Sequence, residues 1–151
     1  MKRSLSSILI AAAALATALP AAAQFAKPED AIKYRKGAFT VMAAHFGRVA
    51  GMAQGKIPFD AKVAAQNAEV ATFMSTLPFA GFGPGTDKGE TRAKPEIWAE
   101  MDKFNAGAKK MQDAMASLNV AAKGGNLDAI KAAAGEVGKT CKGCHDEYRK
   151  E

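Results

Sequence analysis

Four stretches of this 151-residue sequence repeat their apolar side chains every three or four residues, which is the spacing of one face of an α-helix. No stretch alternates apolar and polar residues as a half-buried strand does. Each of the four helices would carry a single apolar face, and that face can be buried only against the other three. The sequence therefore predicts an all-α fold, an antiparallel four-helix bundle.

The four predicted helices differ in how clearly their ends are marked. The first runs from about Pro28 to Ala53, with the face Ile32, Arg35, Phe39, Met42, Phe46 and Val49. The second follows Asp60, a preferred N-cap residue, with the face Val63, Asn67, Val70, Phe73 or Met74, and Leu77. The third begins at Pro95, with the face Ile97, Met101, Phe104, Ala108, Met111, Met115 and Leu118. The fourth follows Asn126, with the face Leu127, Ile130, Ala134, Val137, Cys141, Cys144 and Tyr148. Between the second and third helices, residues 78–95 hold four glycines and three prolines, so we predict no regular structure there.

The N-terminal segment has the layout of a secretory signal peptide. Lys2 and Arg3 precede an apolar run from Ile8 to Leu19, and three alanines then lead to a cleavage site after Ala23. We expect residues 1–23 to be removed and residues 24–151 to form one soluble periplasmic domain without a membrane span. Cleavage removes Lys2 and Arg3, two of the positive charges that contribute to the formal net charge of +6. No cluster of basic and aromatic residues favours nucleic acid as a partner.

The motif Cys141, Cys144, His145 near the end of the chain has three chemical interpretations, namely a redox dithiol, part of a zinc site, and covalent haem attachment. Reactive thiolates favour a helix N-terminus, whereas these cysteines lie in the last turns of a predicted helix. A structural zinc ion needs four ligands, so His45 or a carboxylate would have to join them. Haem attachment needs only two thiols one helical turn apart and an adjacent imidazole. The sequence favours haem, and a haem-free exported dithiol protein is the alternative from another class.

Several segments together resemble the cytochrome c′ family, the class II c-type cytochromes. They are "FAKPEDAIKYRKGAF" after the signal peptide, "FGPGT" in the long connection, "PEIW" at the third helix and "CKGCHDEYRK" near the end of the chain. The resemblance implies one haem c, bound covalently through two thioethers to Cys141 and Cys144, with His145 as the axial iron ligand. A basic residue one turn later, Arg149, would lie beside the proximal face of the haem.

The resemblance also assigns residues to the first helix. Arg35 matches an arginine associated with the haem propionates, with a solvated helix edge as the simpler alternative, and Phe39 matches an apolar side chain over the distal face of the iron. We also expect Phe82 and Trp98 at the edge of the pocket, and His45 facing outward or toward a partner.

Members of this family keep a five-coordinate, high-spin iron and bind nitric oxide and carbon monoxide, but bind oxygen poorly. The resemblance therefore implies a gas-binding or electron-transfer protein with an unidentified redox partner, and no catalytic acid-base pair suggests an enzyme. A second possibility within the haem interpretation is a six-coordinate, low-spin electron carrier with Met42 as the sixth ligand. Many members are homodimers formed through the first two helices, where Ala43, Gly47 and Ala50 would allow a partner helix to approach.

Overall fold

The computed structural model describes residues 24–151, and the predicted signal peptide lies outside the described residues. Five helices follow one another: α1 (Pro28–Ala53), α2 (Ala61–Met74), α3 (Glu96–Ala99), α4 (Met101–Lys123) and α5 (Leu127–Tyr148). The four long helices form a closed ring, because α1 packs on α2, α2 on α4, α4 on α5, and α5 on α1. The predicted four-helix bundle is therefore confirmed. Among the described helices, none combines the length and the apolar character that crossing a bilayer requires.

The helices begin where the sequence indicated. Pro28 opens α1, and Asp60 accepts a hydrogen bond from the backbone N–H of Val63 at 2.9 Å, which caps α2. Asn126 caps α5 in the same way, by accepting from the N–H of Ala129 at 2.9 Å. Each cap satisfies a backbone donor that the helix itself leaves without a partner.

The third predicted helix is interrupted, which the apolar spacing did not show. Glu100 separates α3 from α4, and its backbone angles (φ −123°, ψ 41°) lie outside the helical range. The indole Nε1 of Trp98 donates to the carbonyl of Gly83 at 3.0 Å, which ties α3 to the long connection. The predicted apolar face is nevertheless largely buried on both sides of the break.

The face predicted for α2 was wrong at Val63, Val70 and Phe73, whereas Asn67 is buried and Met74, the predicted alternative to Phe73, packs against the buried core. Val63, Val70 and Phe73 are exposed, whereas the buried positions are Ala64, Asn67, Ala68 and Ala71. The small alanine side chains form the surface that meets the neighbouring helices, and the larger apolar residues are left on the outside. Leu77 lies beyond the end of α2.

The long connection is more ordered than predicted. Residues Pro78–Gly81 form a 3-10 helix that packs on α1. A Cβ atom at Gly81 would lie 2.6 Å from the carbonyl oxygen of Ala31, so only glycine permits this close approach. The start of the connection is therefore packed closely against α1. The connection leads from α2 to α4, and these two helices pack on each other.

The described residues form two buried apolar clusters, and residues of both clusters line a cavity in the bundle. The central cluster includes the fully buried residues Val49, Met115, Leu118, Ile130 and Val137. The second cluster lies at one end and is built from Phe82, Ile97, Phe104 and Tyr148. Cys141 packs against the central cluster and Cys144 against the second one. The last turns of α5 therefore extend from one cluster to the other.

Candidate haem site

A cavity of about 740 Å³ lies between α1, α4, α5 and the long connection. This volume is in the range of cavities that hold small organic ligands. All seven site residues predicted from the sequence line it: Cys141, Cys144, His145, Arg35, Phe39, Phe82 and Arg149. Trp98 is not part of the wall; its ring lies behind Phe82, with 6.0 Å between the ring centroids.

The α5 side of the cavity carries the two cysteines. Both thiols are free and half-buried, and they are one helical turn apart. Burial raises the pKa of the Cys141 thiol and of the Cys144 thiol. Both side chains are therefore protonated thiols at neutral pH, unlike the low-pKa cysteines of dithiol redox proteins.

His145 follows Cys144 and lies at the mouth of the cavity. Partial burial of the ring, followed by the charge of Arg149, lowers the pKa of His145. The neutral imidazole, which is the form that binds metals, therefore predominates at neutral pH. Arg149 is one turn later, and its backbone N–H donates to the carbonyl of His145 at 3.0 Å. An isolated antiparallel bridge between Ala93 and Arg149 ties this end of α5 to the long connection.

The opposite side of the cavity is aromatic. Phe39 meets Phe79 and Phe82 edge-on, with ring centroids 5.9 and 6.4 Å away, and Phe82 contacts Phe104 at 4.8 Å. Sequence reasoning did not assign Phe79 and Phe104 to the site. The apolar spacing of the third predicted helix placed Phe104 in the core, but Phe79 lies in a connection where periodicity gives no information.

Arg35 is almost completely buried, with 2% of its surface exposed. Its guanidinium donates four hydrogen bonds to the long connection: to the carbonyl of Gly81 (2.8 Å), the hydroxyl and carbonyl of Thr86 (3.0 and 2.8 Å) and the hydroxyl of Thr91 (2.7 Å). Its Cζ also lies 4.3 Å from the centroid of the Phe82 ring, a cation–π contact.

These contacts exclude the alternative of a solvated helix edge for Arg35. Burial lowers the pKa of Arg35 to about 10, so the side chain remains charged at neutral pH. A guanidinium has five N–H donors, and the connection uses four of them. Only the Nε–H remains for any other partner in the cavity.

The residues present fit a covalently attached haem. Two thiols one turn apart and an adjacent imidazole face a mainly apolar cavity with aromatic walls, which suits a large flat macrocycle. The zinc interpretation is not supported, because residues 24–151 contain no group of three or more His, Cys, Asp or Glu side chains placed to hold a metal ion. His45 was predicted to face outward or toward a partner, and it is not fully exposed to solvent. It is half-buried, and its Nδ1 forms a hydrogen bond with Oδ1 of Asn67 on α2 at 2.8 Å.

The chain is similar to known proteins over most of its length. The family model described as Cytochrome C′ matches residues 30–149. Cytochrome c′ from Rubrivivax gelatinosus is 56% identical over 127 residues, which cover 83% of this chain and 98% of that protein. Its crystal structure has a TM-score of 0.82 and 55% identity, and the match covers 84% of this chain and all of that one.

A further solved structure is the nitric oxide complex of a mutant of cytochrome c prime from Alcaligenes xylosoxidans. Its TM-score is 0.79 and its identity 48%, over 85% of this chain and 99% of that one. The family match and these identities extend over the bundle, the long connection and the Cys141-Cys144-His145 motif. The chain belongs to the cytochrome c′ family, whose cofactor is a covalently attached haem c.

Proposed function

We propose that this chain is a periplasmic haem c protein that binds the diatomic gases nitric oxide and carbon monoxide at an iron with one open axial position. The observation that carries the proposal is that Phe39 faces the same cavity as Cys141, Cys144 and His145. When bound, the cofactor supplies an iron centre that binds gases and exchanges electrons. The relative from Alcaligenes xylosoxidans whose mutant was solved with nitric oxide supports this class of ligand. The role is binding or electron transfer rather than catalytic turnover.

Three residues of α5 would hold the cofactor. Cys141 and Cys144 would form the two thioether bonds, and the imidazole of His145 would bind the iron. Their positions on a single well-packed helix fix their relative spacing, because Val137 and Tyr148 on either side are buried in the two apolar clusters. Arg149 places a positive charge beside His145.

The distal side would be controlled by Phe39. Its ring is half-buried and held edge-on by Phe79 and Phe82, so it provides bulk and excludes water but offers no hydrogen-bond donor. Hydrogen-bond donors and steric access in the distal pocket decide which ligands a haem protein binds. Oxygen depends more on such a donor than carbon monoxide or nitric oxide does, so this wall favours the latter two.

Arg35 and Phe82 contribute to the site from the connection side. Phe82 forms part of the wall, and Arg35 lies against it and holds the connection in place. The remaining Nε–H of Arg35 is the group available to a haem propionate.

A six-coordinate site with Met42 as the sixth ligand is the alternative. Met42 also lines the cavity, but it is 94% buried and packs in the central cluster, whereas Phe39 is half-buried. Of these two side chains, Phe39 is less confined by the core, and a phenylalanine ring cannot bind iron. An open axial position is therefore favoured.

The proposal is tested by carbon monoxide association kinetics on the purified haem protein. Phe39→Ala should speed association, since an off-rotamer ring costs about 1 kcal/mol and its removal changes the rate several-fold. Phe46→Ala is the matched control, because this second cavity-lining Phe of α1 lies about 10 Å further along the helix. Equal rates in the parent and Phe39→Ala would contradict the distal assignment, and a purified protein without haem absorbance would contradict the whole proposal.

A homodimer is the proposed assembly. Among the described residues, six of the seven exposed large apolar side chains fall between positions 41 and 73: Val41, Ile57, Phe59, Val63, Val70 and Phe73. They belong to α1, α2 and the loop between them, and Ala43 and Gly47 on α1 are exposed as well. Exposed apolar residues concentrated in one region indicate an interaction surface. The redox partner, if electron transfer is the role, is an unidentified protein.

A further inference from the structure

A second cleft of about 430 Å³ lies beside the haem cavity, where the end of α5 meets the long connection. We call it the C-terminal cleft. Four basic side chains, two acidic side chains and the imidazole of His145 line it: Arg92, Lys94, Arg149, Lys150, Asp146, Glu151 and His145. Its volume lies in the range of small-ligand sites.

The backbone holds the four basic residues together. The N–H of Lys150 donates to the carbonyl of Arg92 at 2.8 Å, and the N–H of Lys94 donates to the carbonyl of Tyr148 at 2.9 Å. The Nε–H of Arg92 adds a third bond, to the carbonyl of Lys150 at 2.9 Å. Like charges at such close positions repel one another, so the cluster is stabilised by a negative charge placed among them.

The nearby carboxylates do not fully neutralise this cluster. Within residues 24–151, no salt bridge of 4.0 Å or less involves Arg92, Lys94, Arg149 or Lys150. Asp146 pairs with Lys142, and the adjacent Glu147 pairs with Lys103. Glu151 is therefore the one carboxylate lining the cleft that is not paired with a lysine elsewhere.

Lys94 offsets the negative charge at the C-terminal end of α5, which would otherwise oppose anion binding. The C-terminal end of a helix carries a partial negative charge on its free carbonyls. The Nζ of Lys94 donates to the carbonyls of Asp146 and Glu147, at 3.1 Å each, and so covers the negative end of α5. The Nη groups of Arg92, the guanidinium of Arg149 and the Nζ of Lys150 remain as donors.

We propose that the C-terminal cleft is a binding site for a small inorganic oxyanion of the phosphate class. Guanidinium groups bind the oxygens of such anions in bidentate pairs, and ammonium groups bind them as point charges. The concave shape favours a free anion over the acidic face of a protein. The cleft adjoins the haem cavity, because Arg92, Arg149 and His145 line both spaces, whereas Lys94 and Lys150 line the cleft alone.

The test is isothermal titration of the haem protein with inorganic phosphate, with ionic strength held constant by chloride. We expect saturable binding, and the double variant Arg92→Gln, Lys150→Gln should bind phosphate about tenfold more weakly or worse. The matched control, Lys131→Gln with Lys139→Gln, removes the same charge from the outer surface of α5 and should bind like the parent. Circular dichroism melting of both double variants shows whether they are folded.

Two results would overturn the proposal. One is the absence of saturable phosphate binding by the folded parent at constant ionic strength. The other is an equal loss in both double variants, which would reflect net charge rather than a site. If polyglutamate binds in a manner that requires Arg92 and Lys150 while phosphate does not bind, the cleft is a docking face for an acidic protein and the small-anion proposal is wrong. Recording the visible spectrum during the titration separates binding in the cleft from a change at the iron.

Discussion

Arg35 offers the sharpest test of how the long connection is held against the bundle. Replacing it with Met keeps an unbranched apolar stem but removes the guanidinium and its four hydrogen bonds. Two backbone acceptors, the carbonyls of Gly81 and Thr86, would lose a charged donor. The stability of the protein, rather than its fold class, should respond.

The expected loss follows from two opposing effects. A buried acceptor left without its partner costs about 1–3 kcal/mol, so two carbonyls cost about 2–6 kcal/mol. The variant also avoids the desolvation of a charged group that is 98% buried, which returns part of this cost. Removing one member of a buried charged contact usually destabilises a protein by about 3–5 kcal/mol. We expect the free energy of unfolding of Arg35→Met to fall by about 3 kcal/mol, or the melting temperature by about 10 °C.

Equilibrium denaturation with guanidinium chloride, followed by circular dichroism on the haem protein, measures this change. Arg35→Lys should lie between the parent and Arg35→Met, because an ammonium keeps the charge but cannot reproduce the planar fork of donors. Lys33→Met is the control on the same helix, and since Lys33 is exposed it should change stability by less than about 0.5 kcal/mol. If Arg35→Met were as stable as the parent, the hydrogen bonds to the connection would not hold it in place.

Three further outcomes are expected. Replacing Cys141 and Cys144 with Ala should yield a protein that releases haem on extraction with acidified organic solvent, while the parent retains it; release from the parent would contradict thioether attachment. The visible spectrum without added ligand should be high-spin in both the parent and Met42→Ala. A low-spin spectrum in the parent together with a high-spin spectrum in Met42→Ala would establish Met42 as the sixth ligand. Phe73→Glu should shift sedimentation toward the monomer, because Phe73 is 66% exposed on α2. The control is Val120→Glu on α4, where Val120 is 73% exposed. Equal sedimentation of the parent and both variants would count against a dimer through α1 and α2.

The helices were predictable because their apolar spacing and end signals are local. The predicted bounds of α1 match the structure, and Asp60 and Asn126 cap helices as expected. Local patterns do not determine which of two apolar faces is buried. In α2 the alanine face and the face with Val63 and Phe73 both have helical spacing, and packing against α1 and α4 selects the smaller side chains.

The site was predictable to the extent that it depends on side-chain chemistry. Cys141, Cys144 and His145 carry reactive groups in a recognisable order, and all three line the cavity. The apolar face predicted for the first helix also included Arg35, a charged residue. The sequence could not identify its hydrogen-bond partners, because backbone carbonyls of a distant connection leave no trace in the residue pattern.

The connection between α2 and α4 is therefore part of the site rather than a simple link. Loops are usually mobile, but this one supplies Phe79 and Phe82 to the cavity wall and is held at both ends. Arg35 fixes residues 81–91 to α1, and the pairing of residues 92–94 with residues 148–150 fixes its other end to α5. A wall built from the four long helices alone would lack these two aromatic rings. The position of the connection thus determines both the aromatic packing around Phe39 and the placement of Arg149 beside His145.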